Sequence, residues 1–313
     1  MHQHNKKDIT DMPAVNSNIK RRDFISGLTK ATAGVALLSI AGTAGATARD
    51  NADAITVGEV MDRFIKQVPG APFPKTVDTL KSGNRDIKVT GIVTTMFATV
   101  EVIKKSIQLG ANFIIAHEPT FYNHEDETNW LQQDDVYNYK ANLLKEHDIA
   151  VWRNHDYVHS LVKDGVYSGV LAQLGWQQYA TQEDIITMPA ISLQQLMQHA
   201  KSKLGIKELR YIGDLKQSCS RVLLMPGAAG GRSQILGISK NKPDVLICGE
   251  IQEWETAEYV RDARAKGIAL SLIVLGHIAS EEPGSTFMAQ WVKDNVPGIT
   301  ITHIPAGNSL SFA

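Results

Sequence analysis

The chain has 313 residues, enough for one large domain or two ordinary ones with a substantial core. Hydrophobic residues make up 43% and charged residues 21%, which excludes disordered, collagen-like and low-complexity classes. With 32 Lys+Arg against 33 Asp+Glu the formal net charge is -1, so nothing in the charge balance calls for nucleic acid as a main partner.

The first fifty residues differ from the rest. Lys20, Arg21, Arg22, Asp23, Phe24 and Ile25 precede a weakly apolar stretch, Gly27 to Ala46, and Ala46-Thr47-Ala48 places small residues where a signal peptidase reads. This is the layout of a secretory signal, and the paired arginines before Phe24-Ile25 resemble a twin-arginine signal. The apolar run after Lys30 is only about 18 residues and is diluted by Gly, Ser and Thr, which argues against a stable membrane anchor. The expected location is periplasmic or extracellular after twin-arginine export. Cleavage after Ala48 leaves 265 residues with 26 Lys+Arg against 30 Asp+Glu, a mildly acidic chain. Two cysteines, Cys219 and Cys248, are too few for a disulfide framework, and Cys248 sits in an apolar run that reads as a buried strand.

Beyond the signal, strand-length apolar runs alternate with helical patterns. Strands are predicted over Val89–Val93, Phe113–Ala116, Ala150–Trp152, Arg221–Met225, Val245–Cys248, Ala269–Leu275 and Ile299–Ile304. Amphipathic helices are predicted over Val100–Leu109, Val136–His147, Leu193–Leu204 and Thr256–Lys266, the first and last stopped by Gly110 and Gly267. The alternation predicts an α/β fold of two α/β halves, 49–180 and 181–313, with mixed, largely parallel sheets flanked by helices and the functional site between them.

Three polar clusters follow apolar strands, where open α/β sheets present ligands. The first is His117-Glu118-Pro119, where Pro119 breaks the pleat and lets adjacent side chains converge. The second contains His155, Asp156 and His159. The third is His277-x-x-x-Glu281, which puts both side chains on one face of a helix. Each cluster alone is weak evidence, since strand-end histidines and i,i+4 His/Glu pairs are common. Together they supply the imidazoles and carboxylates that a divalent transition-metal site needs.

The segments Gly110-Ala111-Asn112 to Pro119, His155 with His159, Asp244 to Glu250, and Gly276-His277 to Gly284 resemble the Nif-three-like dinuclear-metal proteins, also catalogued as GTP cyclohydrolase I type 2 homologues. The resemblance implies a homo-oligomeric ring and metal ligands at His117, Glu118, His159, His277 and Glu281. Two positions depart from the family pattern: Glu118 stands where a second His is usual, and His159 where an Asp is usual. The exchanges compensate, leaving three imidazoles and two carboxylates. The implied cofactors are two divalent transition-metal ions, from among Zn, Mn, Fe, Co and Ni.

Such a centre predicts hydrolysis by metal-activated water on a small-molecule substrate, anionic or nucleotide-like. Glu250 is a candidate proton shuttle, with a helix-capping carboxylate as the plain alternative. His155 either orients a ligand, contacts substrate or is an ordinary loop histidine. Trp254 reads as a packing residue or a stacking platform. Met225 to Arg232, rich in glycine, reads as a phosphate cradle or a tight strand-to-helix turn. The reading from a different class is a non-catalytic metal-binding or scaffolding ring.

Overall fold

The computed structural model describes residues 54–182 and 185–311. The signal-like segment, the 48/49 boundary and Glu183-Asp184 in the predicted 180/181 boundary stretch lie outside the described residues. Among the described residues, no helix is long and apolar enough to cross a membrane.

In chain order the first part runs α1 (Val57–Ile65), β1 (Leu80–Ser82), β2 (Ile92–Thr95), α2 (Val100–Gln108), β3 (Phe113–Ala116), α3 (Asp135–Glu146), β4 (Ala150–Arg153), α4 (Asp156–His159) and α5 (Gly165–Leu174). There follow β5 (Ala180–Gln182), β6 (Ile185–Ser192), α6 (Leu193–Leu204), β7 (Arg210–Ile212), β8 (Ser218–Met225), α7 (Gly231–Asn241), β9 (Val245–Cys248), α8 (Glu258–Ala265), β10 (Ser271–Val274), α9 (His277–Asn295) and β11 (Ile301–His303). Helix starts follow side-chain chemistry: Thr56 with Glu59, and Ser192 with Gln195, form reciprocal capping boxes at α1 and α6.

One sheet has the order β1-β4-β3-β2-β11 and the other β5-β6-β8-β9-β10-β7. β4, β3, β2 and β11 pair in parallel, as do β8, β9 and β10, while β1, β5, β6 and β7 add antiparallel pairings at the edges. The fold is thus the mixed, largely parallel α/β arrangement predicted. The central strands β2, β3, β4, β9 and β10 are buried at every position, as strands covered on both faces must be.

Alternate residues of these strands feed different cores. Phe113, Ile115 and Trp152 from one sheet and Val245, Ile247 and Ile273 from the other share a central core with the inner faces of α1, α5, α6 and α9. Ile114 and Val151 pack outward against α2 and α3, and Leu246 and Leu272 outward against α7 and α8. The layers are therefore helix, sheet, helix, sheet, helix, with the strand ends of both sheets able to meet across the middle layer.

Four departures from the predicted elements have clear causes. β1 and β7 have only three residues each and no fully buried position, so they carry no apolar run to read. β6 contains Pro189 and a register break against β8, which obscures its pattern. The first two residues of the predicted helix Thr256–Lys266 belong to a π-turn, Glu253–Ala257, and α8 begins only at Glu258. The last strand, β11, comes from the second predicted half yet pairs with β2 of the first sheet. Cys219 lies opposite Ile191 and Cys248 opposite Met225, six residues apart along β8, and both are free thiols.

Candidate metal centre

The parallel register that sets Ala116 beside Arg153 brings the segments after β3 and β4 to one end of the first sheet. His117 and Glu118 both turn inward there and are buried. His155 immediately precedes α4 and His159 ends it, and the start of this helix is gathered by the buried Asp78. The Asp78 carboxylate accepts the backbone N–H groups of His155, Asp156 and Tyr157 at 2.8, 3.0 and 2.7 Å. From the second sheet, β9 and β10 in parallel register deliver Glu250 and His277. His277 is the first residue of α9, so Glu281 falls on the same face one turn later.

All seven residues singled out in the sequence meet at this point. His277 Nε2 lies 3.0 Å from Glu281 Oε2 and 3.2 Å from Glu118 Oε1; His117 Nε2 lies 3.5 Å from Glu281 Oε2, and His155 Nε2 3.8 Å from Glu118 Oε1. The His117 ring stacks on His155 at 4.8 Å between centroids and meets His159 edge-on at 5.1 Å.

Each imidazole has its outer nitrogen bound to an oxygen. His117 Nδ1 donates to the Asn154 carbonyl at 3.2 Å, His155 Nδ1 to Asp156 at 3.0 Å, His159 Nδ1 to Asp164 at 2.8 Å and His277 Nδ1 to Glu250 at 2.8 Å. That pattern fixes Nε2 as the inward nitrogen of each ring, as metal-binding histidines require. His117 Nε2 is fully buried and lacks a hydrogen-bond partner. Ligand atoms of His117, His155 and His159 lie within 4.8 Å of one another, and so do those of His117, Glu118 and Glu281. The donor set is one that binds divalent transition metals.

Electrostatics reinforce the grouping. Burial alone would raise the Glu281 and Glu118 carboxyls, but the hydrogen bond from His277 and the nearby charges of His117 and His277 outweigh it, holding Glu281 well below the usual carboxylate range and lowering Glu118. Burial opposes charge on His277 too, yet its hydrogen bonds to Glu118 and Glu281 lift it to about 10. His155 goes the other way: burial, then repulsion from His117, pushes it down to about 4.

Three placements add to or differ from the sequence reading. Glu250 is bonded to the outer nitrogen of His277 and its side chain is 54% exposed, a placement that adds contact with the His277 ring to the proton-shuttle and helix-capping readings. The glycine-rich turn is not open to a phosphate at Gly227. Its N–H donates to Ser280 Oγ at 3.0 Å, its carbonyl accepts from Glu250 N at 2.8 Å, and its φ of +66° and contact with the Glu281 carboxylate leave no room for a Cβ. Trp254 lies in the π-turn with 76% exposure, so it is not a core residue. Sequence reasoning missed Asp78, Arg153 and Asp164. Asp164 is the N-cap of α5, a capping signal that was available, whereas Asp78 precedes a strand and gathers the start of α4 from 77 residues away, and Arg153 is concealed at the end of an apolar strand.

Two α/β layers that converge on a shared histidine/carboxylate cluster define an α/β protein built around a candidate metal centre. The chain belongs to the Duf34/NIF3 (NGG1p interacting factor 3) family, whose profile matches residues 78–308. It is 24% identical over 229 residues to a Clostridium perfringens protein named GTP cyclohydrolase 1 type 2 homolog, covering 69% of this chain and 83% of that one. A protein of the same name from Escherichia coli K12 is 27% identical over 227 residues, covering 69% and 85%. The fold matches the crystal structure of a Bacillus cereus protein related to NIF3 with a TM-score of 0.66 at 17% identity, over 83% of this chain and 99% of that one.

Proposed function

We propose that this protein is an exported metal-dependent hydrolase that holds two divalent transition-metal ions at the His/Glu cluster. The observation that carries the reading is the common orientation of four imidazoles, each tied at Nδ1 to an oxygen with Nε2 turned towards Glu118 and Glu281. In this reading His117, Glu118, His159, His277 and Glu281 are the ligands and His155 joins them, supported by the grouping of His117, His155 and His159 and of His117, Glu118 and Glu281, and by the His277 contacts with both glutamates.

Bound there, dications would make water ionise near neutral pH and polarise an oxygen of the substrate. The chain's own groups do the rest. Asp164 and Glu250 fix the rings of His159 and His277, and the Asn154 carbonyl fixes His117. His155, low in proton affinity, stays neutral at pH 7 and presents Nε2 as an acceptor. Glu118, Glu281, Asp156, Asp164 and Glu250 are offset within the cluster by the Arg153 guanidinium. Two dications would bring that sum near zero, so a neutral, carbonyl-bearing small molecule suits the site better than a strongly anionic nucleotide. The twin-arginine-like signal supports export in the folded, metal-loaded state, and the family resemblance supports a homo-oligomeric ring.

The test is hydrolysis by the metal-loaded protein across amide, lactone, phosphoester and nucleotide panels. Turnover that Glu281→Ala lowers by at least about a hundredfold, with assembly intact, supports the reading. No turnover in any panel, with His277→Ala altering only oligomer stability, would replace it by the scaffolding ring.

A further inference from the structure

Arg153 ends β4 with its side chain entirely buried, a placement that is costly for a cation unless it is paired and hydrogen-bonded. Its guanidinium is divided among specific partners. Nε donates to the His117 carbonyl at 3.4 Å, Nη1 to the His124 carbonyl, and Nη2 lies 3.4 Å from Glu118 Oε2. Asp126 is also near, at 3.6 Å from Nη1, but it has its own cation in Lys81 at 3.3 Å and accepts the Phe121 N–H at 2.7 Å. Charge matching therefore leaves Glu118 as the partner of Arg153.

The two oxygens of Glu118 consequently have separate environments. Oε2 faces the guanidinium, while Oε1 faces His277 Nε2 at 3.2 Å and His155 Nε2 at 3.8 Å. We propose that Arg153 is a positioning residue that restricts Glu118 to donating one oxygen, Oε1, to the metal cluster. It works through Glu118 and through the backbone of His117, with no contact to substrate. A planar fork with fixed donors suits this task, because it sets the carboxylate's rotation as well as neutralising it. The inference rests on the dinuclear reading above and adds the means by which a carboxylate serves at position 118.

The experiment titrates the full chain with Zn(II) against a competing chelator and melts the metal-free protein, for wild type, Arg153→Met, Glu118→His and the double variant. Histidine at 118 keeps a metal donor while removing the charge that Arg153 faces. With Glu118 present, Arg153→Met is expected to weaken Zn(II) binding about 10- to 100-fold. In the Glu118→His background it should change affinity by less than about threefold, and the metal-free double variant should melt above the sum of the two single losses. Arg153→Lys, which retains charge but not the fork, should recover melting temperature more than affinity, and it carries the same comparison if Arg153→Met does not fold. Equal losses in both backgrounds, or no loss beside Glu118, would overturn the proposal. Failure of wild type itself to take up zinc would instead overturn the dinuclear reading beneath it, and the wild-type titration alone tells the two apart.

Discussion

At the scale of single residues, the site depends on where protons reside. In the metal-free protein His277 is bonded at both nitrogens, to Glu250 and Glu281, and binds its proton to about pH 10 against an ordinary value of 6.5. The raised value means that the His277 contribution to stability is fully present below about pH 6.5 and is lost as pH climbs through 10. The melting temperature of the metal-free protein should therefore fall between pH 7 and 10, more steeply than in His277→Gln. Metal must displace that proton, so calorimetry at pH 7.5 in buffers of different ionisation enthalpy should report proton release on binding; a buffer-independent heat would contradict the assignment. Glu250→Gln separates two roles for the carboxylate. Positioning predicts metal affinity lower by about 10- to 100-fold and an unchanged pH profile in the reloaded protein. A proton shuttle predicts the reverse. The seven candidate residues were legible because strand-end His and Glu carry a chemical signature even without a fold. The contacts of Glu250 and Arg153 were not, because they depend on which nitrogen or oxygen a partner turns toward them.

At the scale of elements, the central strands and the helices between them were legible from apolar runs and glycine stops, with Phe113–Ala116, Val245–Cys248 and Leu193–Leu204 falling where periodicity put them. What escaped was set by partners distant in sequence. β1 is defined by pairing with β4 and β7 by pairing with β10, and neither has the length to announce itself; β11 was legible as the strand Ile299–Ile304, but its pairing with β2 of the first sheet was not. The same dependence governs α9, which carries His277 and Glu281. It runs through Pro283 and packs closely on α5, where Gly169 faces the Pro283 carbonyl with no space for a methyl group. Gly169→Ala should force the two helices apart, lowering stability by about 1–3 kcal/mol in chemical denaturation and weakening metal binding through the displaced α9. Loss of stability with untouched affinity would show that the helix start is held independently, by Ser280 and Gly227.

At the scale of the whole molecule, the near-neutral charge of the chain conceals a strongly acidic interior cluster fed from both sheets. Ions held by such a cluster would be bound in the folded state only, so removal of metal should unfold the protein more easily. A chelator is expected to lower the melting temperature, and excess Zn(II) to restore it, with free metal at 100 times the dissociation constant adding about 2.7 kcal/mol per site. Asp156, Asp164 and Glu250 meet the histidines only in the assembled fold, which is why the local charge could be counted only after the strands were in place. In the proposed function this charge is met by two ions. Anomalous diffraction from crystals of the metal-loaded protein tests it most directly. Two anomalous peaks per chain are expected among His117, Glu118, His159, His277 and Glu281, with His155 alongside. A single peak, or peaks away from these residues, would contradict it.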